Sequence, residues 1–381
     1  MNNKTKKVFD KSESYYNNLG IKGLRMGIPQ PNPYNKFFTE YSQLLKYNPN
    51  NIGTNTRIKP TPYSARFYEY KLMDWIRRLY HDKSADGYVC SGATEGNIMG
   101  LWIGREKLSK KKPPVVIAHV ESHNSIRKAC DLLNIKLLTS NESAWNKPLD
   151  GKMVNDLLPE DSNTPVIVVI TIGHTSTGII DNIKSITSVL RKSKRDYYIH
   201  VDAAIDGFIL PFIGNSNIFD FCNKDVSSIT TDFHKYGLGP YPSGVFLCRK
   251  NLQKFIEREA EYGGVIDDTL IGSRSGAISV LLWANVLDLG QISFKENVSK
   301  IFNNKKYFLS ILRKKSIKYI TSDSSPSLCF LTSRRLPQAI EHKFRLFHTT
   351  RKYAGKNMVA YTIFFYADTP KSMMNELLSA F

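Results

Sequence analysis

Two rhythms of apolar residues alternate along most of this chain. Short, nearly continuous runs rich in β-branched and aliphatic residues occur at Gly87 to Cys90, Pro114 to Val120, Ile135 to Leu138, Pro165 to Thr171, Tyr197 to Val201, Ser228 to Thr231 and Gly244 to Lys250. Runs of this kind are what strands buried on both faces produce. Helical spacing falls between them. Phe67, Tyr70, Met73, Trp75, Ile76 and Leu79 make one amphipathic stripe within Tyr63 to Tyr80, and Ile98 to Ile103, Ile126 to Leu133 and Ile183 to Leu190 supply others. The alternation predicts an α/β fold, a large, mainly parallel-sheet domain with helices on both faces. Asn251 to Glu261 reads as a charged helix.

The pattern changes at both ends. Met1 to Tyr16 is polar, and a Pro- and Asn-punctuated arm follows with one short amphipathic segment, Tyr34 to Leu45. From about Lys295 a lysine-rich helical stretch runs to Ile317, followed by the strand-like SLCFLTS, a helix around Gln338 to Phe347, the run MVAYTIFFY and a last helix. The expected organisation is therefore an N-terminal arm over residues 1–60, the large domain over 61–294, and a small C-terminal α+β domain over 295–381.

Composition narrows the function class. No apolar run is expected to reach the roughly 18 residues a membrane helix needs, and MNNKTKKVFDKSESYY lacks the apolar centre of a signal peptide, so a cytoplasmic protein without a membrane partner is expected. Five cysteines in no metal-type spacing argue for free thiols and no metal site. The formal net charge of +19 invites a nucleic-acid reading, but the basic residues are dispersed in short clusters such as Lys110 to Lys112, and a solvated lysine-rich surface accounts for them better.

Candidate chemistry sits at the ends of two strand-like runs. Tyr197 to Val201 stops at Asp202, and Ser228 to Thr231 gives way to Asp232, Phe233, His234 and Lys235. An aspartate and a lysine delivered from neighbouring strands to one pocket are what pyridoxal 5'-phosphate needs: the lysine forms the Schiff base and the carboxylate keeps the pyridine nitrogen protonated. Small residues at Ser91 to Asn97 precede a helix, whose free N-terminal amides favour an anion. Alone this turn reads as an ordinary cap. With Lys235 and Asp202 it makes Ala93 and Thr94 candidates for the cofactor phosphate.

Five strings in order, YVCSGATEGN, ESHNSIRKA, HVDAAIDGFILPF, SITTDFHK and IGSRSG, resemble the pyridoxal-phosphate-dependent group II amino-acid decarboxylases, nearest to histidine decarboxylase and its serine decarboxylase relatives. The resemblance runs from about Gly27 to the C-terminus and implies fold type I, the aspartate-aminotransferase-like architecture. It implies a homodimer with shared active sites, and it places His123 over the pyridine ring, Ala204 against the opposite face, Thr175 near the phenolic oxygen and His234 at the phosphate. Tyr262, beside the Gly263 and Gly264 hinge, stands where relatives carry a mobile proton donor, although a loop tyrosine over the dimer seam fits the same position. Ser273 matches a segment that reaches the neighbouring subunit's site.

The chain departs from the pattern in three places. His174 replaces the first threonine of a GTTxxG turn and could touch substrate or point away. Thr54 and Asn55 replace an Asp-Pro pair, and Asp232 and Phe233 stand where the nearest branch has Ser-Gly. The implied activity is decarboxylation of an L-amino acid, histidine first and serine next, with acidic, aromatic or diamino acids behind. Carbon-carbon or carbon-sulfur lyase chemistry on the same cofactor is a second enzyme reading, and a binding protein without chemistry a third.

Overall fold

The computed structural model describes residues 6–8, 10–14, 26–29, 31–54, 61–109, 112–214, 219–259 and 266–381. Its centre is a seven-stranded sheet formed by β1 (Asp86–Cys90), β2 (Val115–Ala118), β3 (Lys136–Thr139), β4 (Val166–Thr171), β5 (Tyr197–Asp202), β6 (Val226–Asp232) and β7 (Gly244–Cys248), in the spatial order β1, β7, β6, β5, β4, β2, β3. The pairings from β6 through β3 are parallel, and β7 is antiparallel to both β6 and β1. Every residue of β1, β4, β6 and β7 is buried, as their uninterrupted apolar runs predict.

Side chains alternate between two cores. Val166, Val168, Ile170, Ile199 and Val201 point to one face, while Ile167, Val169 and Tyr198 point to the other. The first face is covered by α2 (Ala65–Leu79), α5 (Gly151–Leu157) and α6 (Ile183–Ser193), which contribute residues such as Leu72, Ile76, Val154 and Ile186. The second is covered by α3 (Ala93–Leu108) and α4 (Asn124–Leu133), through Met99, Ile103, Ile126 and Ala129. The arm contributes α1 (Phe38–Leu44), within the amphipathic segment expected there.

Glycine spacing decides how closely α3 approaches the sheet. A Cβ on Gly96 would lie 2.0 Å from Thr230 Oγ1, and one on Gly100 would lie 2.2 Å from His200 Nδ1. With no side chain at these two positions, one turn apart, the helix axis settles directly on β5 and β6. Its first turn is thereby brought to the ends of those strands.

The 39-residue helix α7 (Gly276–Lys314) begins well before the helical stretch expected from Lys295 and passes through that position; Gly290 (φ 61°) interrupts its helical angles. An 18-residue window of α7 has a mean hydropathy of 1.4, long and apolar enough to cross a membrane, so the expectation of no such run is corrected. Ile278, Leu281, Leu282 and Val286 of this helix belong to the first core, and α7 packs along α2. A helix lying across a large core needs that much apolar surface. A second correction concerns Asn251 to Glu261. Asn251 takes a left-handed φ of 68°, a single 3-10 turn spans Gln253–Phe255, and Arg258–Glu259 pairs antiparallel with Ile266–Asp267. Gln253 is buried and donates to the Asp268 carbonyl at 2.9 Å, so tertiary tethers override the local helical tendency.

The C-terminal part is a four-stranded antiparallel sheet, β8 (Lys318–Ile320), β9 (Ser327–Thr332), β10 (His348–Tyr353) and β11 (Lys356–Phe364), in the order β8, β9, β11, β10, with α8 (Gln338–Phe344) and α9 (Lys371–Ser379). Phe330, Tyr361 and Ile363 join the first core, so this sheet packs onto the large domain.

Candidate active site

The parallel ladder between β5 and β6 puts Asp202 opposite Thr230, and Lys235 follows three residues beyond the end of β6. The chain turns sharply there, with Gly239 N donating to the Phe233 carbonyl at 2.7 Å. Both side chains reach one cavity of about 320 Å³, which is also lined by Ala93, Thr94, His123, Thr175, Ala204 and His234. Eight residues expected from sequence to act together are thus brought to one place.

Asp232 organises the lysine end. Its carboxylate lies 3.1 Å from Lys235 Nζ, accepts the Ala93 N–H at 2.6 Å and faces His234 Nε2 at 3.4 Å. Burial would lower the Lys235 pKa, but Asp232 and then Asp202 outweigh it and hold the ammonium above its ordinary value. Ser243 N donates to His234 Nδ1 at 3.3 Å, so the His234 proton sits on Nε2, toward Asp232. Burial lowers the His234 pKa, and its ring stacks on Tyr241 with centroids 4.0 Å apart.

The N-terminus of α3 forms the adjoining wall. Gly92 has φ 152°, and a Cβ there would come within 2.9 Å of His234 Cε1, so only glycine keeps this cradle open. Gly92, Ala93 and Thr94 of this turn line the cavity with His234 and Lys235, residue types suited to a phosphate, and Asp232 is the group that takes the Ala93 N–H and faces His234 Nε2. At the other end Asp202 accepts Ala204 N at 3.1 Å and Asn97 Nδ2 at 2.8 Å, which aims a buried carboxylate at the cavity. An anion cradle, an amine and a carboxylate around one cavity fit pyridoxal phosphate.

His123 caps α4 and lines the cavity. Burial is the main cause that lowers its pKa; Asp202 opposes this and Lys235 adds to it. His174 points away: its Nε2 pairs with Asp181 Oδ1 at 2.8 Å inside the core, while its neighbours Gly173 and Thr175 line the cavity. Thr54 is buried and held by Asp268, its N–H donating to Oδ1 at 2.9 Å and its hydroxyl to Oδ2 at 3.1 Å. Ser273 is not among the cavity residues of this chain; its hydroxyl accepts from Asn50 Nδ2 at 3.1 Å beside the short pairing of Asn50–Asn51 with Arg274–Ser275. Tyr262 and Asn55 lie outside the described residues. Sequence reasoning left three contributors off the site: Asp232, Asn97 and Tyr241. The first two stand inside the quoted strings, but their roles depend on side-chain direction. Tyr241 sits in a loop with no periodicity to mark it.

Comparison with known proteins agrees with this geometry. Residues 42–332 match the family described as the pyridoxal-dependent decarboxylase conserved domain. Tryptophan decarboxylase of Clostridium sporogenes is 32% identical over 305 residues, covering 75% of this chain and 73% of that protein. Histidine decarboxylase of Solanum lycopersicum is 30% identical over 306 residues, covering 79% and 71%. Among solved structures, L-methionine decarboxylase from Streptomyces sp. 590 superposes with a TM-score of 0.86 at 17% identity, covering 100% of this chain and 94% of that one. The fold is that of fold type I.

Proposed function

The chain belongs to the pyridoxal-dependent decarboxylase family and is a carboxy-lyase with pyridoxal phosphate as its cofactor; from that premise we propose that it converts L-histidine to histamine. The observation that carries the reading of the site is the meeting of Lys235 and Asp202 at one cavity. The choice of histidine is supported by the tomato relative and by the arm residues Gly27, Pro29, Asn50, Asn51 and Gly53, which resemble the arm of the histidine and serine decarboxylases. Serine is the next candidate, with acidic, aromatic and diamino acids behind it, and the Clostridium relative supports the aromatic member of that group.

In the reaction the bond between the α-carbon and the carboxylate breaks, carbon dioxide leaves, and the α-carbon takes a proton to give the amine. When bound, the cofactor supplies an electron sink for the pair released by that bond. Lys235 Nζ is the amine that would hold the cofactor covalently. Asp202 would keep a proton on the ring nitrogen through charge pairing, which would make the sink effective. Ala93, Thr94 and His234 would hold the phosphate, Ala204 would leave room for the ring, and Thr175 and His123 would line the space around it. Tyr262 is the proposed proton donor to the α-carbon.

A homodimer belongs to the same proposal. Leu287 and Ile292 on α7 are 63% and 76% exposed, which suits coverage by a second copy, and Ser273 would then serve the partner's site. All five cysteines are free, which fits the proposed cytoplasmic setting. Incubating the protein and pyridoxal phosphate with separate L-amino acids, and reading amines by mass spectrometry with trapped carbon dioxide, tests the reading. Histamine from histidine at the highest kcat/KM supports it. Another amine formed in preference removes histidine, and absence of carbon dioxide with every amino acid would overturn decarboxylation itself.

A further inference from the structure

We infer that Asn97 and Ser125 are positioning residues that fix the tautomer of His123, so that its imidazole turns an Nε2–H toward the cavity. The role of that N–H rests on the proposed reading of His123 above the cofactor, whereas the tautomer rests on hydrogen-bond bookkeeping alone. Asn97 is fully buried on α3. Its carboxamide makes three bonds of 2.8 Å: Nδ2 to Asp202 Oδ2, Nδ2 to Ser125 Oγ, and Oδ1 to His200 Nε2. The Asp202 carboxylate can only accept, so the NH2 group must face it and Oδ1 must face His200. The amide orientation is thereby settled.

Donor direction then propagates both ways. On one side His200 must carry its proton on Nε2, leaving Nδ1 to accept from Ser228 Oγ at 2.8 Å; burial keeps this ring neutral, its pKa lowered to about 4. On the other side Ser125 Oγ accepts the second Asn97 N–H and has one proton to give. That proton goes to His123 Nδ1, 2.8 Å away, and the Ser125 backbone N–H points at the same nitrogen from 3.3 Å. A nitrogen approached by two donors holds a lone pair, so the proton of the neutral ring is on Nε2.

The consequence is chemical. With Nδ1 occupied, His123 presents the cavity with a donor, suited to a carboxylate oxygen of the substrate and unsuited to removing a proton. The relay also ties that donor to Asp202 through Ser125 and Asn97, so both walls of the cavity are set by one carboxamide.

The test is imidazole nitrogen NMR of the holoprotein and of the cofactor-free protein, labelled in histidine, with His123 assigned by His123→Gln. A single neutral Nε2–H pattern for His123 is expected in wild type, and loss of that single pattern in favour of a tautomer mixture in Ser125→Ala. Ser125→Thr, which restores the hydroxyl, should restore it. His200 is an internal control, since its own Nε2–H pattern should be unchanged in Ser125→Ala if the fold is intact. An Nδ1–H pattern in wild type, or equal tautomer populations in wild type and Ser125→Ala, would overturn the inference. If the spectra behave as expected while no amino acid is decarboxylated, the proposed function fails and the relay stands.

Discussion

In the large domain one cluster of ionisable side chains borders open volume, and another is enclosed in the core. In the first, Asp202, Asp232, Lys235, His123 and His234 surround the cavity at the ends of β5 and β6. In the second, His174 and Asp181 pair at 2.8 Å, Asp181 also accepts the Leu149 and Thr171 N–H groups at 2.7 and 2.8 Å, and the His119 ring stands edge-on to His174 with centroids 4.5 Å apart. His119 faces the Ala144 carbonyl with Nε2 at 3.2 Å and accepts the Glu121 N–H on Nδ1 at 3.0 Å. The second cluster is enclosed in the core, with His119, His174 and Asp181 all buried. The first holds comparable charges but aims them at a space that a guest can occupy. Charge is common to both, but the cavity group is the more open, with His123 exposed and Lys235 and His234 half-buried; direction separates function from structure.

Substitutions should break the two clusters in different ways. Lys235→Ala should abolish amine production, because no other amine lines the cavity among the described residues, while phosphate contacts retain part of the cofactor affinity; absorbance titration and amine assay measure the two separately. Full turnover by this variant would sink the assignment. Asp202→Ala should lower kcat by a factor on the order of 10² to 10³, the scale of removing one preorganised electrostatic group. Both should change melting temperature much less than activity.

The second cluster should respond in stability. His174→Ala leaves Asp181 buried without its cation and should cost about 3 kcal/mol in denaturant unfolding, with turnover per folded molecule changed only a few-fold. Burial would lower the His174 pKa, yet Asp181 outweighs it and leaves the value raised. A raised folded-state pKa means the pair's contribution is complete below the unfolded value of about 6.5 and fades as pH climbs through the folded one. The penalty for His174→Ala should therefore be larger at pH 6 than at pH 9, and a pH-independent penalty would contradict the pairing. The smallest effect is expected where helix and sheet meet. Gly96→Ala forces a methyl against Thr230 and should cost about 1 to 3 kcal/mol, with weaker cofactor binding because the first turn of α3 is pushed off the strand ends.

Much of this was legible without coordinates. Seven strand runs, the two residues at strand ends and the small-residue turn before α3 follow from period and composition, since a strand buried on both faces has few ways to be written. Eight of the expected site residues line the cavity together. Other positions resisted. Asn251 to Glu261 carries helical composition but is held by Gln253 and a short strand pairing, and of α7 only the lysine-rich part from about Lys295 reads as helix in the sequence, whereas the helix starts at Gly276.

The linear order of residues determined the chemistry on offer: an amine, a carboxylate, an anion cradle, and the strands that carry them. Tertiary structure decided which ionisable groups meet. His174 stands next to two cavity residues in sequence yet turns into the core, while Asn97, more than 100 positions from Asp202, bonds to it because glycines at 96 and 100 let α3 settle on the sheet. The physical reason is range. Periodicity reports which face of an element is buried, but the direction of a polar side chain depends on donors and acceptors that other segments bring to it, and those are fixed only when the elements pack.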